Sequence, residues 1–449
     1  MASRKFLFTA ALISTVALFS TLALAVERQP NADYRARRQA LAVKSKGGSI
    51  LLFATVEAEG PNDLYGYRPD DNFYYLSGWP EPGAAILIVA AAPAKDNSPA
   101  HAYSETLFLP NRNSSQEKWT GPKLGPDSQD AARMTGFDRV EALDNLRSEL
   151  VKMPAGPIYT DMPGADASPG STAPLQWLKR ANAFPVGASF QDVRPLLTSL
   201  RTFKDDGEIE LLRKATNASI AAQLAAMRAM KPGATEREIS ALLQYEWGKR
   251  GCERPAYAPI VGAGLNSTVL HYSEDSGTIR AGDLVVIDAA GEYSMYASDI
   301  TRTLPASGKF TPRQREIYDI VLGAQKAAIE AFRSGQSSLK RTSPNSLYKV
   351  AFDYINTHGK DSHGEPLGKY FIHGLSHYLG LNVHDDGDYE VPLGPGAVFT
   401  IEPGIYIPEE ELGVRIEDDF YVDRSGRLIN LTEALPHNAE DVERAMSAK

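Results

Sequence analysis

The chain has 449 residues, a formal net charge of −9 at pH 7, 43% hydrophobic residues and a single cysteine. That length allows two or more domains, each with a sizeable core. The acidic balance, without any basic stripe, excludes nucleic acid as a partner, and Cys252 alone excludes an intramolecular disulfide.

Ser3-Arg4-Lys5, the apolar run 6–24 and the closing Ala23-Leu24-Ala25 have the form of an export signal: a positive start, an apolar core and a small-residue end. Residues 1–25 are therefore expected to be cleaved off, with the protein delivered to the periplasm or the exterior. Left uncleaved, the run is long enough to anchor the chain in a membrane. No other stretch of the sequence is apolar enough to cross one.

Residues 26–198 read as an α/β domain. Buried-strand runs fall at 49–56, 84–92, 105–109 and 158–160, a helix at 144–152, and a Pro-, Gly- and Ser-rich loop at 155–174. The block Arg68-Pro-Asp-Asp-Asn-Phe-Tyr-Tyr-Leu-Ser-Gly-Trp79 gathers Phe73, Tyr74, Tyr75 and Trp79. These aromatics fit either the mouth of a substrate site or a core, the commoner place for such rings.

Residues 199–449 carry a pattern that occurs twice. Helical stretches at 208–230 and 235–250, the second opened by a Thr235/Glu238 capping box, precede an apolar hairpin at 284–303. Cys252 between them reads as an inert thiol. With Gly291 as a turn residue and a midpoint near Tyr293–Ser294, Asp288 and Asp299 are expected opposite each other. Opposed side chains have Cβ atoms roughly 5 Å apart, and two bare carboxylates that close repel. Either cations sit between them, or one acid caps a turn and the other faces water. Helical stretches at 312–332 and 347–357 follow, with polar loops at 334–346 and 358–366. Three of the eight histidines, His373, His377 and His384, come next. A second hairpin, 398–407 and 413–422, turns at Pro408-Glu409-Glu410-Glu411 and sets Glu402 opposite Glu417. The strand period puts Arg415 on the same face as Glu417. Helix, helix, hairpin, twice over, predicts a pseudo-two-fold α+β domain with its site between the halves.

Four carboxylates paired twice within apolar strands, together with one imidazole, form a hard, oxygen-rich ligand set. It suits two divalent ions, manganese first, with cobalt or zinc as alternatives. Two such ions about 3.5–4 Å apart make a hydrolytic centre.

The blocks VLHYSED (269–275), DAAGEYSMYASDITRT (288–303), HGLSHYLGLNVHD (373–385), IEPGIYI (401–407) and GVRIEDD (413–419) resemble the proline-specific metallopeptidases of the pita-bread fold. Xaa-Pro aminopeptidase (aminopeptidase P) and Xaa-Pro dipeptidase (prolidase) are the nearest in pattern. The block at 68–79 resembles one in the N-terminal domain of aminopeptidase P. The resemblance implies that Asp288 holds one metal, that Asp299 and Glu417 bridge both, and that His377 and Glu402 complete the other. It also implies Glu402 as the base, His271, His373 and His384 as substrate-side histidines, and Arg415 and Tyr406 as partners of Asp288. The implied reaction releases the N-terminal residue from peptides with proline in second position, where the tertiary amide offers no N–H to an ordinary peptidase. A homo-oligomer, dimer or tetramer, is implied as well. Ser376 and Leu381 favour the aminopeptidase over the dipeptidase. A metal-free amidinohydrolase of the creatinase kind and a non-catalytic binding module are further readings, and the complete five-ligand set argues against both.

Overall fold

A computed structural model describes residues 26–56, 64–94, 99–162, 176, 177, 180, 182 and 184–447. The signal-like run 1–25 and most of the loop 155–174 lie outside the described residues. Among the described residues no helix is long and apolar enough to cross a membrane.

The first part of the chain builds a mixed six-stranded sheet. Its order is Arg139–Ala142, Ser104–Leu109, Ala85–Val89, Ser49–Phe53, Pro157–Thr160, Ser189–Asp192. The central strands are apolar on both faces because both faces are covered. Ile50, Ile86, Ile88 and Leu107 face a core shared with Leu41 of helix Asn31–Lys44, while Leu51, Leu87 and Phe108 face Leu146 and Leu150 on the other side. Phe73, Tyr74, Tyr75 and Trp79 all belong to the first of these cores, so the core reading of that block holds. They sit in and beside a short helix, Asp71–Ser77. Asp70 caps it by accepting from Phe73 N at 2.9 Å, and Gly78 ends it in the left-handed region. A Cβ on Gly78 would lie 2.4 Å from the Tyr34 ring.

The second part is the repeated unit. Helices Asp206–Ala229 and Glu236–Gly248 each open with a capping box, as does Pro312–Ala331; Leu347–His358 follows. Each helix pair precedes a long hairpin that is broken in two. The first consists of Leu284–Asp288 with Thr301–Pro305, then Gly291–Tyr293 with Tyr296–Ala297. The second consists of Val398–Ile401 with Asp418–Val422, then Gly404–Ile407 with Leu412–Arg415. The two hairpins are stitched side by side by Glu417 N donating to Thr301 O (3.1 Å) and Arg415 N donating to Thr303 Oγ1 (3.1 Å).

The second hairpin keeps the expected register: Ile401 pairs with Asp418 and Gly404 with Arg415, which leaves Glu402 across from Glu417. The first does not. Asp288 pairs with Thr301, so Asp299 lies two positions along, on the same face but diagonal to Asp288. The turn is Ser294–Met295, both at positive φ (49° and 75°), the geometry that suits a two-residue hairpin. Gly291 is a strand residue, small because a Cβ there would meet Cys252 Sγ at 2.8 Å and Trp247 at 3.1 Å. Cys252 is free and buried, and burial pushes its thiol up to about 12.

Candidate metal centre

The acids occupy the breaks in the hairpins. Asp288 ends its strand, Asp299 precedes Thr301, Glu402 follows Ile401 and Glu417 precedes Asp418. A strand break turns these side chains out of the ladder and into one cavity of about 310 Å³, which His271, His373, His377, His384 and Arg415 also line. Ligand atoms of Asp299, His377 and Glu417 all lie within 4.8 Å of one another. His377 Nε2 stands 3.3 Å from Asp299 and 3.5 Å from Glu402. Its Nδ1 donates to Tyr378 O at 3.0 Å, which frees Nε2 to act as a ligand, the usual support for a metal-binding imidazole.

Burial dominates the electrostatics here. Burial and the neighbouring Asp288 raise Asp299; burial, Asp299 and Glu402 hold Glu417 well above the usual carboxylate range. Burial lifts Glu402 to about 7. Burial alone would depress His377, yet its contact with Asp299 and the charge of Glu402 lift it to about 9. Carboxylates that resist ionisation this way are short of cations. Asp299 Oδ1 is buried and has no protein hydrogen-bond partner. The donor set of carboxylate oxygens and one imidazole nitrogen, with that orphaned oxygen among them, fits a divalent metal.

Asp288 is oriented from both sides: Arg415 Nη2 donates to Oδ2 at 2.7 Å and the Tyr257 hydroxyl to Oδ1 at 2.6 Å. Tyr406 does not touch Asp288. It accepts from Arg415 Nη1 at 2.7 Å and donates to His373 Nε2 at 2.8 Å, while His373 Nδ1 donates to Gly374 O at 2.7 Å. The expected pairing of Tyr406 with Asp288 is thus indirect, through Arg415. Burial and the Arg415 charge hold His373 near 4; burial, then His377 and His271, do the same for His384. Both are neutral at pH 7.

Three supporting residues carry no expectation from the sequence. Tyr257 lies in a loop without a periodic signal. Thr301 donates to Glu417 Oε2 at 2.6 Å. Asp419 accepts from Ser298 Oγ at 2.8 Å and lies 3.3 Å from Asp299 N; burial and Asp299 push it up to about 8. Thr301 and Asp419 each sit two residues after a site acid, so the strand period alone would have placed them on the site face.

Known proteins share both parts of the chain. The profile of metallopeptidase family M24 matches residues 210–424, and that of the aminopeptidase P N-terminal domain matches 34–159. Xaa-Pro aminopeptidase of Escherichia coli is 35% identical, over 93% of this chain and 98% of that protein. Xaa-Pro aminopeptidase 3 of Homo sapiens is 35% identical, over 86% and 78%. Among solved structures, E. coli aminopeptidase P with the inhibitor Pro-Leu superposes with a TM-score of 0.80 at 32% identity, covering 94% of this chain and 99% of that one. Proline aminopeptidase P II from Yersinia pestis gives a TM-score of 0.78 at 34% identity, covering 94% and 100%. Fold and site together define a metal-dependent hydrolase with an N-terminal domain ahead of a pita-bread catalytic domain. The chain belongs to the Xaa-Pro aminopeptidases of metallopeptidase family M24.

Proposed function

We propose that this chain hydrolyses the Xaa-Pro bond and releases the N-terminal residue from peptides longer than two residues. The observation that carries the reading is the convergence of Asp288, Asp299, His377, Glu402 and Glu417 on one cavity beside three further histidines. We assign two divalent ions to these five residues, manganese first, with Asp299 and Glu417 shared between the ions. The ions supply Lewis acidity that makes water a nucleophile near neutral pH.

The chain's own groups do the rest. Glu402, which lines the cavity, accepts a proton from the attacking water and returns it toward the prolyl nitrogen. His384, neutral at pH 7, donates to the carbonyl oxygen as charge develops there; one such contact is typically worth about 3–4 kcal/mol. His271 and His373 serve the substrate rather than the metals. Arg415 and Tyr257 fix the orientation of Asp288.

The preference for longer peptides has support in the cavity. A dipeptidase must neutralise the carboxylate beside proline. Among the described residues lining the cavity Arg415 is the only Lys or Arg, and it is committed to Asp288, Tyr406 and Thr301. The test is kcat/KM for Gly-Pro, Ala-Pro-Ala and a longer Xaa-Pro peptide, with manganese supplied. Activity on the two longer substrates is expected. Strong cleavage of Gly-Pro alone would indicate a dipeptidase, and release from peptides without proline in second position would overturn both readings.

The domain limits 26–198 and 199–449, export through residues 1–25 and assembly into a dimer or tetramer belong to the same proposal. Its support is the form of the N-terminal sequence and the family resemblance.

A further inference from the structure

His384 reaches the cavity on the loop 380–386. Its ring packs edge-on against His377 with centroids 4.2 Å apart and makes no hydrogen bond to a described residue. The backbone of the loop therefore sets where the ring points, and that backbone is gripped from outside the hairpins. Asp385, the next residue, accepts from Arg201 Nη2 and pairs with Lys204 Nζ at 2.9 Å. The side chains of Arg201, Lys204 and Asp385 are 3%, 1% and 1% exposed. Arg201 Nη1 also donates to Asn72 Oδ1 at 2.6 Å, on the first domain's short helix. From the same block, Arg68 Nη2 donates to Leu381 O at 2.6 Å. Inside the loop, Asn382 N donates to Asp385 Oδ1 at 3.2 Å, and His384 N donates to Asn382 Oδ1 at 3.1 Å. Gly380 allows the close packing, since a Cβ there would lie 2.3 Å from Asp385 Oδ2.

A buried ion cluster is weak evidence for stability, because well-packed apolar side chains often do as well. What this cluster fixes is the path of one loop. We propose that Asp385, clamped by Arg201 and Lys204, is a positioning residue that sets the reach of His384 into the cavity. The first domain thereby bears on turnover from within the same chain, through Asn72 and Arg68. The inference rests on the contact between His384 and substrate proposed above.

The test is a double-variant cycle on the metal-loaded enzyme. Arg201→Gln, His384→Ala and the pair are assayed on Ala-Pro-Ala, with metal content and KM measured alongside. His384→Ala should lower turnover and keep its metal. If it keeps full turnover, the role given to His384 fails and this inference falls with it, while the parent's cleavage of Ala-Pro-Ala still stands for the wider reading. Arg201→Gln should lower kcat roughly 10- to 100-fold, the scale of a small misplacement of a reacting group, with metal content and KM near the parent. In the His384→Ala background it should change nothing further, because its effect passes through that ring. Asp385→Asn should behave as Arg201→Gln does, and Arg201→Lys should recover part of the loss. Losses that multiply in the pair, or metal lost from Arg201→Gln, would overturn the proposal.

Discussion

Glu417→Ala should lose more bound metal than Asp288→Ala and fall to background turnover. Glu417 stands with Asp299 and His377 in the cluster whose ligand atoms lie within 4.8 Å of one another, and it is the carboxylate assigned to both ions. Removing it also leaves Thr301 Oγ1 without its acceptor. Asp288 is held instead by Arg415 and Tyr257 at one side, so its removal leaves that cluster intact and takes one ion. Neighbours that orient metal ligands typically matter 10- to 100-fold, and loss of a shared ligand should exceed that. The measurement is metal content after dialysis. Equal loss in the two variants, or a single ion in the parent, would count against the shared assignment.

The second large effect is on stability. In the metal-free protein, burial raises Glu402 from 4.5 to about 7 and Asp419 from 3.8 to about 8. Despite burial, contact with Asp299 and the charge of Glu402 raise His377 from 6.5 to about 9. All three folded values lie above their unfolded ones, so the folded state holds more protons across that window. Stability must then fall as pH rises. The metal-free protein should therefore be less stable at pH 8 than at pH 5. Asp361 and Asp423, whose values are lowered, oppose this only at lower pH, whereas His373 and His384, held near 4, oppose it from pH 5 up to about 6.5 and reduce the loss. A divalent ion binds the ionised groups, so its stabilisation should grow with pH. Thermal unfolding of the metal-free and metal-loaded protein at pH 5 and pH 8 checks both signs. A metal-free Tm that is flat or rises toward pH 8 would contradict the burial of unneutralised carboxylates.

Much of the site is legible in the sequence because its acids stand at the ends of strands of strict period. Glu402 and Glu417 follow from the midpoint of one hairpin, and the register of that hairpin is as expected. The first hairpin slips by two residues because its turn, Ser294–Met295, takes positive φ without the Gly or Asn that would announce it. A slip of two preserves the face, so Asp299 still reaches the cavity. Tyr406 lies on the right strand, but its partner depends on Arg415 reaching between the two hairpins, which no local pattern records. Tyr257, on a loop, reaches Asp288 only through tertiary structure. The helix Asp71–Ser77 escapes notice because it is short and aromatic, and its cap at Asp70 is its main local signal. The grip of Arg201 and Lys204 on Asp385 spans more than 180 residues for Arg201 and leaves no trace in spacing.

The central claim is that hydrolysis of the Xaa-Pro bond depends on two ions held by these five residues. Its most direct test is a titration of dialysed, metal-free protein with manganese, following release of the first residue from Ala-Pro-Ala. The account predicts no turnover without metal and a rise that saturates at two equivalents per chain. Full turnover in the metal-free protein, or saturation at one equivalent, would contradict it.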